Sequence, residues 1–384
     1  MAVRGPLSGI VVVDLSRILA GPYCTFLLSE LGARVIKVEP PGKGDDARAY
    51  GPFRNGASAY FASVNRGKQS IALDLKDGGD KRVFERLLEI GDVLVENFRP
   101  GTMEKLGYGW PALHGRYPRL IYAAASGFGH TGPYARQPAY DMVVQGLGGM
   151  MSITGAPEGP PARVGMSIGD IGAGLYTAVA VNAALLHRER TGEATKVDIG
   201  MLDCQIALLE NAVMRYSVTG EIPGPLGARH PTITPFEAFA TGDGSIIIAA
   251  GNDGLYLKLC AALARPDLAA EPGYKTNELR LKRQPELKVE IEKELRKKPL
   301  AHWLKVLDAA GIPCGPINNI AQAMAHPQVA ARTMLVTVED PKAGRLTLAG
   351  NPLKVSGFDD PPTRAPAPEL DADRAAILKE LGIV

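Results

Sequence analysis

The chain is poor in the residues that mark several common chemistries. Its cysteines are Cys24, Cys204, Cys260 and Cys314, with no C-x-x-C pair. That spacing excludes a disulfide scaffold and reads as free thiols in a reducing compartment. The six histidines are scattered, and none has metal-ligand spacing, so no zinc site is expected. The formal net charge is only +2. This gives no reason to expect nucleic acid or an acidic membrane surface as partner, while small anionic ligands answer to local charge and stay open. The opening "MAVRGPLSGIVVVDLSR" holds too short an apolar run for a signal peptide, and no apolar run reads as long enough to cross a bilayer. A cytoplasmic protein is the expectation.

What is present is a core former. Hydrophobic residues make up 46% and charged residues 22% of 384, enough for two domains or one large and one smaller. "GIVVVDLS" reads as a strand, "GPYCTFLLSELG" as a helix opened by Pro22 and closed by Gly32, and "ARVIKVEPP" as a second strand stopped by prolines. Strand, helix, strand in so short a span is a βαβ unit and implies a parallel sheet. "SIALDLK", "KRVFERLLEIG", "DVLVENF" and "RLIYAAASGFG" continue it as strand, helix, strand, strand. Residues 171–190 are apolar nearly all round and predict a buried helix. "KVDIGMLDCQIALLENAVMRYSVTG" predicts a short strand leading into another helix. "GEIPGPLGARHPTITP" marks a domain crossing. Beyond it lie a hairpin around Gly242–Gly244, several helices, a loop at "GIPCGPINN" and further strands. "RLKRQPELKVEIEKELRKKP" reads as a solvated helix face.

Asp170 stands out in "VGMSIGDIGAG", among glycines and just before the apolar stretch. Two readings share its geometry. As an N-cap it would stabilise the helix by about 1 kcal/mol. As a functional group it would be kept ionised by the helix N-terminus, a nucleophile needing no base. Gly169, Gly172 and Gly174 would then let a ligand approach the backbone, and nearby N–H groups could hold an oxyanion.

The stretch "VVVDLSRILAGPYCTFLLSELGARVIKVEPPGKGDDAR" resembles the opening of the family III CoA-transferases, the family of formyl-CoA transferase and carnitine CoA-transferase. The likeness runs in order through "SVNRGKQSIALDLK", "VLVENFRPGTMEKLG", "SGFGHTGPY", "AYDMVVQGLGGMMSITG", "GDIGAGLY" and "GIPCGPINN" to "RAPAPELDADRAAILKELG". The resemblance implies an α/β fold. A large Rossmann-like parallel-sheet domain would take residues 1–224 and a returning segment, 331–384. A smaller α+β domain would take 225–330, and two chains would interlock as rings in a homodimer. It implies that Asp170 is the catalytic carboxylate, forming aspartyl anhydride and aspartyl-CoA thioester intermediates. It places Ile18, Leu19, Leu73, Lys76, Asn97, Phe98 and Lys105 along coenzyme A, with Lys105 where formyl-CoA transferase has an arginine. Coenzyme A is then a substrate as its acyl thioester, and no permanently bound cofactor is implied.

Departures shape the substrate expectation. Leu19 replaces a glutamine of formyl-CoA transferase and cannot donate its hydrogen bond, which argues against oxalate and formate. Arg17, and less directly Arg48, suit a distal carboxylate. With "LSRILAGP", "GDDAR" and "GPINN", they point to the dicarboxylate branch, with succinyl-CoA as donor. An α-methylacyl-CoA racemase is the enzymatic rival. Its histidine position holds Tyr140, a poor base at neutral pH, and its glutamate position holds Asn252. Tyr140 is instead a candidate substrate contact, and His130 reads as a loop residue. A CoA-binding protein without turnover is the rival of another class. A nicotinamide dehydrogenase is disfavoured, because the first βα loop lacks G-x-G-x-x-G.

Overall fold

The structure is a computed structural model and describes residues 4–358 and 360–383. The chain divides into two compact units, Met1–Met151 with Arg163–Ile222 and His326–Val384, and Ser152–Ala162 with Pro223–Ala325. The segment Ser152–Ala162 clusters with the second unit, although in sequence it lies well inside the stretch assigned to the first.

The first unit is built on six parallel strands: Val11–Asp14 (β1), Arg34–Glu39 (β2), Gln69–Ala72 (β3), Val93–Glu96 (β4), Ile121–Ser126 (β5) and Lys196–Gly200 (β6). Their order is β3-β2-β1-β4-β5-β6, the doubly wound order of dinucleotide-binding folds. The strands are apolar on both faces because both are covered. Val13, Ile36, Leu94 and Tyr122 pack on one side with Phe84, Leu87 and Ile377. Their neighbours Val12, Val35, Val93 and Ile121 pack on the other with Leu28 and Val181. The alternation is the period of two expected of a pleated strand.

The helices that matter for the site are Ala20–Glu30 (α1), Ala59–Asn65 (α2), Gly78–Ile90 (α3), Asp141–Leu147 (α4), Ile168–Thr191 (α5), Met201–Leu208 (α6) and Glu210–Thr219 (α7). α3 starts because the Asp77 carboxylate accepts the Gly79 and Asp80 N–H groups at 2.7 and 3.0 Å. It buries Val83, Phe84, Leu87 and Leu88, one face of a 3.6-residue repeat. α5 corrects one expectation. Its 24 residues have a mean hydropathy of 1.3 in the most apolar window, long and apolar enough to cross a membrane. Half of that window is buried in the protein. Near its end the guanidinium of Arg188 is also buried, 2.8 Å from Asp92 and donating to the Arg119 carbonyl.

The chain end covers the exposed edge of β3, a surface that would otherwise invite further strand pairing. Asp373 and Asp371 accept the Ser70 and Ala72 N–H groups at 2.8 and 2.7 Å, and Arg374 donates to the Ala72 carbonyl. In the second unit, Phe236–Ala240 and Ser245–Ala249 form the expected hairpin. Cys314–Pro316 pairs with it as a third strand, so "GIPCGPINN" is only in part a loop. The charged stretch after it is not simply solvated either. Leu287, Ile291 and Leu295 enter the core, and the fully buried Arg280 bonds the Thr234 and Tyr274 carbonyls and Asp253.

α1 and α5 meet at Gly174, where an added Cβ would lie 2.7 Å from the Ala20 carbonyl oxygen. Gly174→Ala is therefore expected to lower unfolding free energy by about 1–3 kcal/mol in urea titrations. Gly165→Ala, where a Cβ meets nothing within 4 Å, should stay within about 0.5 kcal/mol of the parent.

Candidate active site

In a doubly wound sheet the ligand crevice lies where the strand order reverses, outside the carboxyl ends of the two central strands. Here these are β1 and β4. The loop leaving β1 has no strand beside it, so side chains satisfy its backbone. Asp14 accepts the Ser16 N–H at 2.9 Å, and Lys37 donates to the Ser16 carbonyl at 2.7 Å. Asn97, just after β4, clamps Arg17 from both sides, accepting its N–H at 2.7 Å and donating to its carbonyl at 2.8 Å. Asp45 accepts the Ile18 N–H at 3.0 Å. Ile18 itself sits at φ +67°, a left-handed conformation that is an outlier for a β-branched residue.

Beneath this loop lie four fully buried charges. Lys68 is 3.0 Å from Asp14, and Lys37 is 2.8 Å from Asp45, with no exposure on any of the four side chains. Burial alone would raise the Asp14 carboxyl. Lys68 and Lys37, with the Ser16 and Thr25 hydroxyls, hold it instead at about 2. Burial lowers Lys68 to about 8 against the pull of Asp14.

The residues assigned to coenzyme A fall along this edge of the sheet. Ile18 and Leu19 follow β1, Leu73 and Lys76 follow β3, and Asn97, Phe98 and Lys105 follow β4. They differ in what they can offer. Leu73 is buried in the core and its N–H is bound to the Glu39 carbonyl, so its side chain serves packing. Phe98 packs against the same core, with the Arg17 guanidinium 5.5 Å from its ring centre. Glu96 fixes that loop by accepting the Phe98 N–H at 2.6 Å and the Tyr122 hydroxyl at 2.8 Å. Lys76 and Lys105 are exposed, and neither ammonium forms an ion pair among the described residues. Arg48 does not stand ready for a substrate. Its guanidinium grips Glu39 with two bonds of 2.7 Å, donates to the Pro368 carbonyl and lies over the Phe61 ring. Arg17 is freer, with one pairing to Asp46 at 3.4 Å and both side chains about half exposed.

Asp170 lies in the first turn of α5 and does not cap it. The N-cap is Ser167, which makes no side-chain cap bond. The cap comes from α4. Asp141 accepts the Gly169 N–H at 2.8 Å, and Gln145 ties Asp141 to the Val164 N–H. The glycines serve this packing. A Cβ on Gly169 would be 2.7 Å from Val144, and one on Gly172 would be 3.1 Å from Leu208. With the cap supplied elsewhere, the Asp170 carboxylate has no hydrogen-bond donor and no cation among the described residues. Burial first, and then the charge of Asp141, push it up to about 7. Burial and Asp141 thus raise a carboxyl that the sequence reading expects the helix N-terminus to keep ionised.

Sequence reasoning missed three neighbours. Tyr60 feels the Asp170 charge, and burial followed by that charge raises its phenol to about 12. Tyr50 stands edge-on to Tyr60 at 5.9 Å and is within electrostatic reach of both Tyr140 and Arg17. Asp141 carried no motif of its own beyond its place in "AYDMVVQG". Tyr140 is 69% exposed. Asn252 caps the helix that follows it, accepting the Leu255 N–H at 2.9 Å. His130 has its Nδ1 3.0 Å from the Lys196 ammonium.

The family model for CoA-transferase family III matches residues 7–374. The chain belongs to that family. Family III CoA-transferases act on CoA thioesters, and this chain is one of these enzymes. It is 47% identical to the acetyl-CoA:oxalate CoA-transferase of Acetobacter aceti, covering 98% of this chain and 96% of that protein. It is 40% identical to the succinate–glutarate CoA-transferase of Agrobacterium fabrum, over the same shares. A CaiB/BaiF family protein of Brucella suis superposes with a TM-score of 0.85 at 37% identity, covering 98% of this chain and all of the other.

The raised Asp170 has a consequence for folding. A carboxyl whose pKa rises from 3.8 to about 7 on folding favours the native state below its unfolded value and loses that contribution as pH rises through about 7. Asp170→Asn should therefore be more stable than the parent by about 1–3 kcal/mol at pH 8, with the gap closing below about pH 4. Denaturant midpoints at the two pH values test this.

Proposed function

We propose that the chain transfers CoA from a short acyl-CoA to a dicarboxylic acid through covalent intermediates on Asp170. The supporting observation is the state of that carboxylate: partly buried, uncapped and unpaired. It lies one turn before the point where α5 touches the start of α1. An Asp170 oxygen attacks the thioester carbonyl, and CoA thiolate leaves a mixed anhydride. The thiolate attacks the aspartyl carbonyl and expels the donor acid, giving aspartyl-CoA. The acceptor carboxylate then attacks that thioester, and the released thiolate takes the acceptor acyl group and restores Asp170. The activation of the donor thioester is passed to the anhydride and then to aspartyl-CoA, so no ATP is needed, provided water is kept out.

Lys76 and Lys105 supply free cations for CoA phosphates, and Arg17 a guanidinium for a distal carboxylate. Succinyl-CoA is our first donor. The relative that acts on acetyl-CoA and oxalate, at 47% identity, favours a second reading with those substrates. It removes most of the weight from the argument that Leu19 excludes oxalate, itself the smallest dicarboxylate. Racemisation finds less support, with an exposed tyrosine and a helix-capping asparagine at the positions of its acid–base pair.

The decisive experiment incubates the protein with succinyl-CoA or acetyl-CoA, quenches with hydroxylamine and maps peptides by mass spectrometry. A CoA adduct or hydroxamate on the Asp170 peptide, absent in Asp170→Ala, is expected. Its formation rate should climb with pH through about 7, because only the ionised carboxylate attacks. An unmodified Asp170 with both donors would return the racemase and the non-catalytic CoA-binding protein to contention.

We also propose a homodimer. Val179 on α5, Val218 on α7 and Ile222 beyond it are 68%, 76% and 85% exposed, and α7 buries none of its residues within one chain. Exposed apolar side chains on these helices support a surface for a partner to cover, and the family resemblance supplies a second copy. Light scattering should give twice the chain mass at micromolar concentration; a monomer mass would refute the assignment.

A further inference from the structure

The loop after β1 is held more tightly than a surface loop needs to be. Each backbone polar group from the Ser16 N–H to the Ile18 N–H has a side-chain partner: Asp14, Lys37, Asn97 twice, and Asp45. At the end of that series is Ile18, at φ +67°. A β-branched residue left to itself would leave that conformation. The Ile18 N–H is bound by Asp45. Its Oδ1 accepts the Ile18 N–H at 3.0 Å and the Ala47 N–H at 2.9 Å, and its Oδ2 lies 2.8 Å from the Lys37 ammonium. Asp45 is itself fixed, since its own N–H donates to Glu39 at 2.9 Å and Glu39 is gripped by Arg48. The chain of bonds thus runs from the buried strand β2 to one strained peptide at the mouth of the crevice.

We propose that Asp45 is a positioning residue for the acyl-CoA: it locks Ile18 in the left-handed conformation and so fixes the Ile18–Leu19 peptide against which CoA lies. The proposal rests on the transferase reading above. Asp45 touches no substrate. Without its acceptor, Ile18 relaxes to negative φ, the following peptide turns, and the N-terminus of α1 loses its set approach to the ligand. The Asp45–Lys37 pair then has a use beyond stability, which a buried ion pair by itself supplies poorly.

The test measures CoA affinity by calorimetry, steady-state kinetics, and amide exchange at Ile18 in the full-length protein. In Asp45→Ala, Ile18 exchange should speed up, and CoA Kd and acyl-CoA KM should rise about tenfold with a much smaller change in kcat. Asp45→Asn keeps an oxygen acceptor and should lose less. Adding Ile18→Gly to Asp45→Ala should recover a large part of the lost affinity, because glycine has no penalty at positive φ. A merely structural role would lower the melting temperature in Asp45→Ala without that recovery. Unchanged CoA affinity in a folded Asp45→Ala protein would overturn the proposal, as would a double variant no better than the single. If Asp45→Ala fails to fold around an unpaired Lys37, Ile18→Pro bars positive φ and removes the N–H that Asp45 accepts while leaving the Asp45–Lys37 pair and the Lys37–Ser16 bond in place; CoA Kd should rise in the same way, and unchanged affinity would overturn the proposal. A parent protein that binds no CoA would overturn the transferase reading along with this one, which separates that failure from the others.

Discussion

A lysine with no exposed surface, Lys37, reaches from the middle of β2 to the Ser16 carbonyl and the Asp45 carboxylate, and the architecture of the crevice depends on that reach. The reversal of strand order between β1 and β4 sends their following segments apart, so the loop at the end of β1 has no sheet neighbour. Its polar groups are still largely withdrawn from water and must find partners. Lys37 from one side and Asn97 from the other supply them. The same bonds set the direction in which α1 begins, and α5 is aligned on α1 through Gly174. The position of Asp170 therefore follows from contacts two elements away.

This arrangement serves shape more than stability. Asp14 and Asp45 balance Lys37 and Lys68 in charge, but removing four charges from water is expensive even when they pair. The pH signs divide accordingly. Asp14, held at about 2, adds stability at neutral pH that disappears in acid. Lys68, lowered to about 8, is protonated at neutral pH against the preference of its site, so its contribution to stability appears only on the alkaline side. A network with one member working against folding is understandable if the selected quantity is the fixed geometry of the loop above it. The same holds for Asp170, whose burial beside Asp141 opposes folding above pH 7 and leaves a carboxylate with unused basicity.

How much of this could be read from residues alone depended on range. The βαβ opening was legible because a β-branched run, a Pro-to-Gly helix and a Pro-stopped strand follow one another locally, and the motifs carried the family. The glycines of "GDIGAG" were legible as important but not for the right reason. Their neighbours are Val144, Leu208 and Ala20, which no local pattern couples to them. Capping failed for the same reason, since a nearby serine or aspartate is the usual cap, whereas Asp141 is 28 residues from the N–H it accepts. Tyr60 and Asp170 are brought together only by the tertiary fold. Arg48 suggested a ligand contact because arginine suits carboxylates; it does bind one, but the carboxylate is Glu39 of its own chain.

A carboxylate that is hard to ionise biases the two halves of the proposed chemistry in opposite directions. In the mixed anhydride, the returning thiolate can attack either carbonyl. Attack on the donor acyl group expels Asp170 and undoes the step. Attack on the aspartyl carbonyl expels the donor acid and moves the reaction forward. The better leaving group is the weaker base. An ordinary dicarboxylic acid ionises near the usual carboxylate range, about 4, while Asp170 in its site does so at about 7. Expulsion of the donor acid is then favoured, and the anhydride drains toward aspartyl-CoA. The same basicity makes Asp170 the better nucleophile in the first step once ionised. The drawback is that half of the free enzyme is protonated near neutral pH, a factor of two in rate. The same bias acts on the acceptor anhydride of the second half, where product forms only by expelling Asp170, so the basicity that favours making aspartyl-CoA slows its discharge to the acceptor-CoA.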